Sequence, residues 1–278
     1  MLHKPAARRV LASAYTDAAV LAVLTSVLDF LKKPVASVQD FFILSGRAIG
    51  AVFHPPWYMD DVFLQMDIIG VGSLSIVVLT SFASGLIITM QMARALSQYG
   101  ATGQVGMIVA LTLVRELGPL LTAIVVAGRN ASGIASELGS MKVTEQIDAM
   151  RALGTDPIEK LVKPRLIAFA IMLPCLTIIA DFVGMVGGFI IAYYTLDLSA
   201  TQYWTPAYQA LAINDVVQGL LKPFVFAFVI ALVGCFYGIR TSGGTQGVGR
   251  ATTQAVVVAS VWVFFVTSLI TRIFVNIQ

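Results

Sequence analysis

The side chains that could take part in binding or catalysis include charged residues that lie within apolar stretches of the sequence. The segment Leu113 to Leu121 reads LVRELGPLL, so Arg115 and Glu116 interrupt a run that is otherwise apolar. Adjacent residues on a helix project about 100° apart, so these two side chains cannot simply neutralise each other on one face. At least one needs a partner elsewhere, and Asp181, in a later apolar run, is a candidate partner for Arg115.

Charge inside a membrane span is costly and usually faces a bundle interior or a water-accessible cavity. Gly118 and Pro119 follow directly, and together they remove a backbone donor and permit a bend, which favours a local opening. A polar wall beside a substrate path and a structural ion pair between helices are both open. A channel or ion-coupled carrier that uses Arg115, Glu116 and Asp181 is a further hypothesis.

Motifs for catalysis are weak elsewhere in the sequence. His3 and His54 are the only histidines, both in the N-terminal region, and no HExxH motif occurs. The stretch GTQGVGRA, residues 244–251, has the glycine spacing of a phosphate-binding loop, but Arg250 and Ala251 replace its lysine and its serine or threonine. We expect this stretch to form the cytoplasmic turn between the last two spans, and we predict no enzymatic activity, metal site or cofactor.

The composition indicates a membrane protein. Of the 278 residues, 58% are hydrophobic and 12% are charged, whereas soluble domains contain roughly 25% charged residues. A helix needs about 20 apolar residues to cross a hydrocarbon core of roughly 30 Å. Five runs are predicted to span, the fourth of them despite Lys222 and Pro223: 68–90, 105–128, 166–193, 216–239 and 253–275. Cys175 and Cys235 fall inside these runs, where we expect packing roles.

The N-terminal 66 residues are predicted to be a separate segment. Ala18 to Leu28 is apolar but too short to span. Val38 to Phe53 gathers most of its large apolar side chains on one side, which predicts an interfacial amphipathic helix ended by residues 54–56, with an ordinary packed helix as the alternative. The fold class is thus an all-α integral membrane protein, with this helix in residues 1–66 and five transmembrane helices in residues 67–278.

The longest polar connection, residues 129–165, separates the second and third predicted spans. Within it, Ser136 to Leu153 reads SELGSMKVTEQIDAMRAL, which has apolar residues at helical spacing among charged ones, and Gly154 supplies a C-terminal stop. This pattern predicts a short helix on the cytoplasmic face. It would lie on the membrane surface or form a docking surface for a soluble partner.

The distribution of Lys and Arg predicts the orientation. With five spans and a cytoplasmic N-terminus, 14 of the 18 basic residues fall on the cytoplasmic side, as the positive-inside rule requires. The C-terminus then lies on the opposite side. No small-residue cleavage site follows the basic start MLHKPAARRV, so we expect the N-terminus to be retained. The net charge of +3 reflects topology rather than nucleic-acid binding.

Several long motifs occur in order along the chain: LVRELGP, AGRNASGIASELGSMKVTEQIDAMRALGTDP, LVKPR and ADFVGMVGG. In these motifs the sequence resembles the MlaE (YrbE) permease family, from about Asp67 to the end. The resemblance implies the permease subunit of an ABC-type phospholipid transporter in a bacterial inner membrane. Such a subunit moves lipid between that membrane and a periplasmic MCE-domain protein, which maintains outer-membrane lipid asymmetry.

The resemblance also implies partners and roles for individual residues. A homodimer, a cytoplasmic ABC ATPase that binds ATP and Mg, and a small STAS-domain subunit are the expected protein partners. Residues implied near a phospholipid cavity between protomers are Ile88, Leu96, Tyr99, Arg115, Glu116 and Leu117. The segment matching Ser136 to Leu153 is implied to be the coupling helix that docks on the ATPase. Its implied coupling residues are Glu137, Met141, Glu145, Gln146, Asp148 and Met150.

Overall fold

The structure is a computed structural model that describes residues 35–277. The described residues form eight helices and no strand, so the predicted fold class is confirmed. The helices are α1 (Val35–Val52), α2 (Met59–Ser97), α3 (Thr102–Val143), α4 (Gln146–Ala152), α5 (Ile158–Leu196), α6 (Ala200–Ala210), α7 (Ile213–Ile239) and α8 (Gly244–Asn276). The apolar stretch Ala18 to Leu28 lies outside the described residues.

Six of these helices are long and apolar enough to cross a membrane. Five of them, α2, α3, α5, α7 and α8, contain the five predicted spans, and most extend past them because helical structure continues into polar sequence. The sixth is α1, which covers the predicted amphipathic helix and ends before His54, as expected. Its length and composition also fit a crossing, so its interfacial position stays a prediction.

The chain divides into two compact units, Met1–Arg47 and Ala48–Gln278. Within the second unit, α2 packs along α5, and α7 packs against α5, α8 and the last part of α3. Glycine permits the α2–α5 crossing, since a Cβ at Gly85 would lie 1.9 Å from the carbonyl oxygen of Gly184. Small residues therefore serve close packing within the chain here.

The charged stretch of α3 is a π-turn, Leu113–Leu117, between the α-helical segments Val105–Thr112 and Gly118–Val126. Pro119 lies in the first turn of the second segment, where a missing backbone donor is tolerated. The irregularity thus lies in the five residues before Gly118 and Pro119, which themselves begin a regular α-helical segment, and a bend at these two residues stays a prediction. A π-turn inserts an extra residue into the helical ladder and often marks a functional position.

The prediction of a single short helix over Ser136 to Leu153 is wrong. The segment is helical in two pieces, because α3 continues to Val143 and α4 begins only at Gln146. Glu145 separates them with a φ of 60°, a left-handed conformation that ends a regular helix. Gly154, with a φ of 82°, follows α4 as the predicted stop.

The expectation that residues 244–251 form a turn is also wrong. They form the first turns of α8, and the connection from α7 is confined to residues 240–243. Positive φ values of 88° at Gly243 and 66° at Gly244 let the chain reverse in this short space. The glycine spacing of this stretch therefore belongs to a helix start.

Candidate functional site

A group of polar side chains meets inside the bundle at the π-turn of α3. We call this group the charge cluster, and its members come from α3, α7 and α8: Arg115, Glu116, Asp215, Gln218, Lys222 and Thr271. Arg115 Nη2 lies 2.6 Å from Asp215 Oδ1, and Lys222 Nζ lies 2.6 Å from Glu116 Oε1. The two adjacent charges of α3 therefore each have a separate partner on α7, as their 100° separation requires.

Two further side chains contact the carboxylate of Glu116. Thr271 Oγ1 donates to Glu116 Oε1 at 2.9 Å, and Gln218 Nε2 lies 3.4 Å from the same oxygen. Lys222 Nζ also donates to the backbone carbonyl of Arg115 at 2.7 Å. The lysine thereby links a side chain and a main-chain group of the π-turn, where regular helical hydrogen bonding is interrupted.

The cluster has a sealed side and an open side. The side chains of Asp215 and Lys222 are 0% exposed, whereas those of Arg115 and Glu116 are 36% and 35% exposed. Its four formal charges sum to zero, which lowers the cost of placing them in a low-dielectric interior. A cation and a carboxylate are therefore presented at adjacent positions in an otherwise apolar stretch of α3.

The predicted pairing of Arg115 with Asp181 is wrong. Asp215 takes that position, while Asp181 Oδ1 is buried with no hydrogen-bond partner among the described residues. Asp181 packs on Gly118, where a Cβ would lie 1.6 Å from Asp181 Oδ1. The partners Asp215 and Lys222 were missed, although both are charges at or inside a predicted span and so carried the same signal as Arg115.

The six predicted cavity residues fall into two groups. Arg115 and Glu116 form the open side of the charge cluster. Ile88, Leu96 and Leu117 are half-buried and pack on an apolar core that includes Leu113 and Tyr203, whereas Tyr99 is 82% exposed. Leu117 follows Glu116 directly in the chain and packs on this apolar core. The lining of a cavity between two protomers stays a prediction.

The predicted coupling residues lie at the α3–α4 break. Glu137, Glu145, Gln146 and Asp148 are exposed, and Met141 and Met150 are half-buried. The break is held by Ile147, which is 0% exposed, and by Lys142 Nζ, which lies 2.7 Å from Asp148 Oδ2. The hydrogen bond from Lys142 lowers the pKa of Asp148, and the charge of Arg151 acts in the same direction.

A second ion pair joins the end of α3 to the start of α5. Arg165 Nη2 lies 2.7 Å from Glu137 Oε2, and the Arg165 side chain is 4% exposed while that of Glu137 is 53% exposed. Arg165 Nη1 also donates to the carbonyl of Leu161 at 2.6 Å. The end of α3 and the start of α5, which flank α4, are thus held together by this ion pair. The α3–α4 break is therefore a fixed surface.

In the described part of the chain, no group of three or more His, Cys, Asp or Glu side chains could hold a metal ion. Cys235 is buried, consistent with a packing role, whereas Cys175 is exposed on α5, and both are free thiols.

Long apolar helices around an internal charge cluster define a multi-pass helical membrane protein. The chain matches the family Permease MlaE over residues 62–273, and it belongs to that family. It is therefore a membrane permease, which is a transport subunit rather than a catalytic enzyme. The family resemblance drawn from the motifs is confirmed.

Three relatives show how far the similarity extends. A probable ABC transporter permease protein of Rickettsia prowazekii is 42% identical over 241 residues, which cover 87% of this chain and 93% of the relative. A probable ABC transporter permease protein of Synechocystis is 40% identical, over 80% of this chain and 85% of the relative. The chloroplast protein TRIGALACTOSYLDIACYLGLYCEROL 1 of Arabidopsis thaliana is 35% identical, over 84% of this chain and 66% of the relative.

Proposed function

We propose that this chain is the permease subunit of an ABC-type phospholipid transporter in a bacterial inner membrane. It forms a homodimer, is driven by a separate cytoplasmic ATPase and exchanges lipid with a periplasmic MCE-domain protein, with a small STAS-domain subunit as a further partner. The transport maintains outer-membrane lipid asymmetry. Relatives named ABC transporter permeases support the ATPase partner, and a relative that carries the name of a galactolipid supports a lipid substrate.

The observation that carries the proposal is the open side of the charge cluster. Arg115 offers guanidinium donors that suit a phosphate, and Glu116 offers a carboxylate that suits an amine or hydroxyl of a headgroup. Both side chains are about one-third exposed, while their buried partners keep them in place. A headgroup that binds there replaces water without leaving an unpaired charge in the membrane interior.

The surroundings of the cluster suit the rest of a lipid molecule. Leu117, the residue after Glu116, is a half-buried apolar residue, and so are Ile88 and Leu96 on α2. An acyl chain that follows these residues would bury apolar surface, while the headgroup stays on the charges. Polar and apolar binding surfaces side by side are what an amphipathic substrate requires.

The surface at the α3–α4 break supports docking of a separate ATPase. Its exposed acidic residues Glu145 and Asp148 are held on a backbone that Ile147 and two ion pairs fix to the bundle. A fixed surface transmits movement, since a partner that binds one permease conformation better shifts the population toward it. ATP binding by the partner would act in this way.

An ion-coupled carrier is the competing function. The residues that it would use are Arg115, Glu116 and Asp181, but the first two are engaged in 2.6 Å ion pairs with α7. Dependence on ATP separates the two functions directly. A carrier would run on an ion gradient without the ATPase, whereas the proposed permease would not.

Lipid transfer by the purified permease–ATPase complex in proteoliposomes tests the proposal. We expect ATP-dependent transfer of a fluorescent phospholipid to the MCE-domain protein, and we expect both Glu116→Ala and Glu116→Arg to reduce it at least tenfold. Asp197→Asn is the control, since it neutralises an exposed acid whose left-handed φ of 54° asparagine also adopts. Normal transfer by both Glu116 variants would contradict the proposal.

A further inference from the structure

Three cations near the start of α5 each bind a different part of the chain. They are Lys160, Lys163 and Arg165, and we refer to them together as the α5 clamp. Lys163 and Arg165 belong to the LVKPR motif, residues 161–165. Lysine and arginine are rarely buried unless a partner binds them, yet both of these residues are buried. The α5 clamp is therefore a packed junction and not a solvated helix start.

Lys163 holds the segment that connects α1 to α2, residues 53–58, which we call the elbow. Lys163 is 0% exposed, and its Nζ donates to the backbone carbonyls of His54 and Pro56, the latter at 2.9 Å. No acid pairs with Lys163 among the described residues. A buried ammonium group is costly unless it is hydrogen-bonded. The elbow must therefore stay in place to keep Lys163 satisfied.

The elbow is stiff and has a second contact with α5. Pro55 and Pro56 fix two of its φ angles. The ring of Tyr58, the last residue of the elbow, lies 4.3 Å from Lys160 Nζ, measured to the ring centroid. Lys160 Nζ also forms an ion pair with Asp61 in the first turn of α2. Lysines of α5 thus hold both the elbow and the start of α2.

Arg165 connects the same helix start to the proposed docking surface at the α3–α4 break. Its guanidinium lies 2.7 Å from Glu137, which belongs to the last turns of α3. A second guanidinium nitrogen donates to the carbonyl of Leu161 at 2.6 Å, which fixes the arginine on its own helix. The α5 clamp therefore binds the end of α3 as well as the elbow.

We propose that the α5 clamp carries movement of the docking surface to the elbow and to α2. The start of α5 moves with the end of α3 through Arg165, and it moves the elbow through Lys163. The α2 helix follows, because it packs along α5 from its first turns to the close crossing of Gly85 and Gly184. A packed and hydrogen-bonded junction transmits displacement, since it cannot deform continuously.

The proposal rests on the proposed function for the source of the movement, which is ATP binding by the docked ATPase. It adds the part of the chain that receives the movement. The α2 helix contains Ile88 and Leu96, two of the predicted cavity residues, so the movement reaches the proposed lipid path. Lys163 is then a positioning residue, because it is buried and touches neither the lipid nor the ATPase.

Bimane fluorescence at the two ends of this connection tests the proposal. In the permease–ATPase complex with Cys175→Ser, bimane is attached at Trp57→Cys in the elbow or at Leu153→Cys beside the docking surface, and Cys235 is buried. The Trp57 and Leu153 side chains are 48% and 84% exposed. We expect a nonhydrolysable ATP analogue to shift the emission at both positions. In Lys163→Met, the shift at residue 57 should be lost and the shift at residue 153 should remain.

Two further variants keep the result interpretable. Glu159→Gln is the matched control, since Glu159 lies in the π-turn before Lys163 and forms no ion pair among the described residues. Both shifts should survive in it. Lys160→Met is a milder variant, because Lys160 is 37% exposed and Lys163 still holds the elbow, so we expect a smaller shift at residue 57. If Lys163→Met does not fold and loses both shifts, Lys160→Met decides.

The two proposals fail in different ways. An unchanged shift at residue 57 in both lysine variants would overturn the role of the α5 clamp and leave the proposed function standing. A shift at residue 153 without one at residue 57 in the starting complex would do the same. No shift at residue 153 in the starting complex would contradict the drive by a docked ATPase, and the role of the clamp would fall with it.

Discussion

The same chemistry, a lysine paired with an acid, occurs in two regions of the molecule with opposite surroundings. In the charge cluster, Lys222 is 0% exposed and its partner Glu116 is 35% exposed. At the α3–α4 break, Lys142 is 28% exposed and its partner Asp148 is 47% exposed. Water can solvate either side chain of the Lys142–Asp148 pair if the pair separates, but it cannot reach Lys222. The buried pair therefore contributes strongly to the stability of the bundle, whereas the exposed pair contributes little and leaves its carboxylate accessible to a partner.

The largest expected effect comes from breaking the buried pair from one side. Lys222→Met leaves Glu116 without its cation inside the bundle, and we expect this change to lower the free energy of unfolding by about 3 kcal/mol. Denaturant unfolding in detergent micelles would measure the change. The double variant Lys222→Met with Glu116→Gln should recover most of it, because the unpaired charge is gone. A single variant as stable as the wild type would contradict the assigned pair.

Packing offers the next contrast, between glycines in a helix crossing and glycines on an open surface. Gly85→Ala places a Cβ 1.9 Å from the carbonyl oxygen of Gly184, so α2 and α5 must separate. We expect a loss of about 2 kcal/mol, measured by the same unfolding experiment. Gly133→Ala is the control, since nothing lies within 4 Å of a Cβ there and alanine favours helix. Equal changes in unfolding free energy for Gly85→Ala and Gly133→Ala would contradict the close approach of α2 and α5 at Gly85.

An intermediate effect is expected where one partner is buried and the other is exposed. Glu137→Gln removes the carboxylate from Arg165, whose side chain is 4% exposed. We expect a loss of about 1 kcal/mol, because Leu161 still accepts a hydrogen bond from Arg165 and water reaches the position of Glu137. ATPase stimulation should fall more than stability does. A loss as large as that of Lys222→Met would remove the distinction between these two pairs.

The smallest effect on stability is expected at Asp148. Its pKa is lowered, mainly by the hydrogen bond from Lys142, so the stabilisation is present above the ordinary carboxyl pKa and is lost as the pH falls through the lowered value. The melting temperature of Asp148→Asn should therefore lie below that of the wild type by a constant small amount between pH 6 and pH 8. The two melting temperatures should become equal only in acid. Co-purification with the ATPase should nevertheless be lost at pH 7. Retained co-purification would argue against docking at this surface.

Much of the fold could be predicted because membrane spans are set by apolar length, which a single sequence displays. The irregular points could not. A π-turn at Leu113–Leu117 and a left-handed Glu145 arise from tertiary constraint, and neither residue pattern is distinctive. Asp215 was missed as the partner of Arg115 for a related reason, since the choice between it and Asp181 depends on which helices are neighbours.

The central claim is that the open side of the charge cluster borders a lipid path. A photo-reactive benzoylphenylalanine at Leu117, in the permease–ATPase complex in phospholipid nanodiscs, tests it most directly, because Leu117 adjoins Glu116 and is only half-buried. We expect irradiation to yield a cross-linked phospholipid, with a yield that changes when ATP is added. Cross-links to protein alone, the same with and without ATP, would contradict the claim.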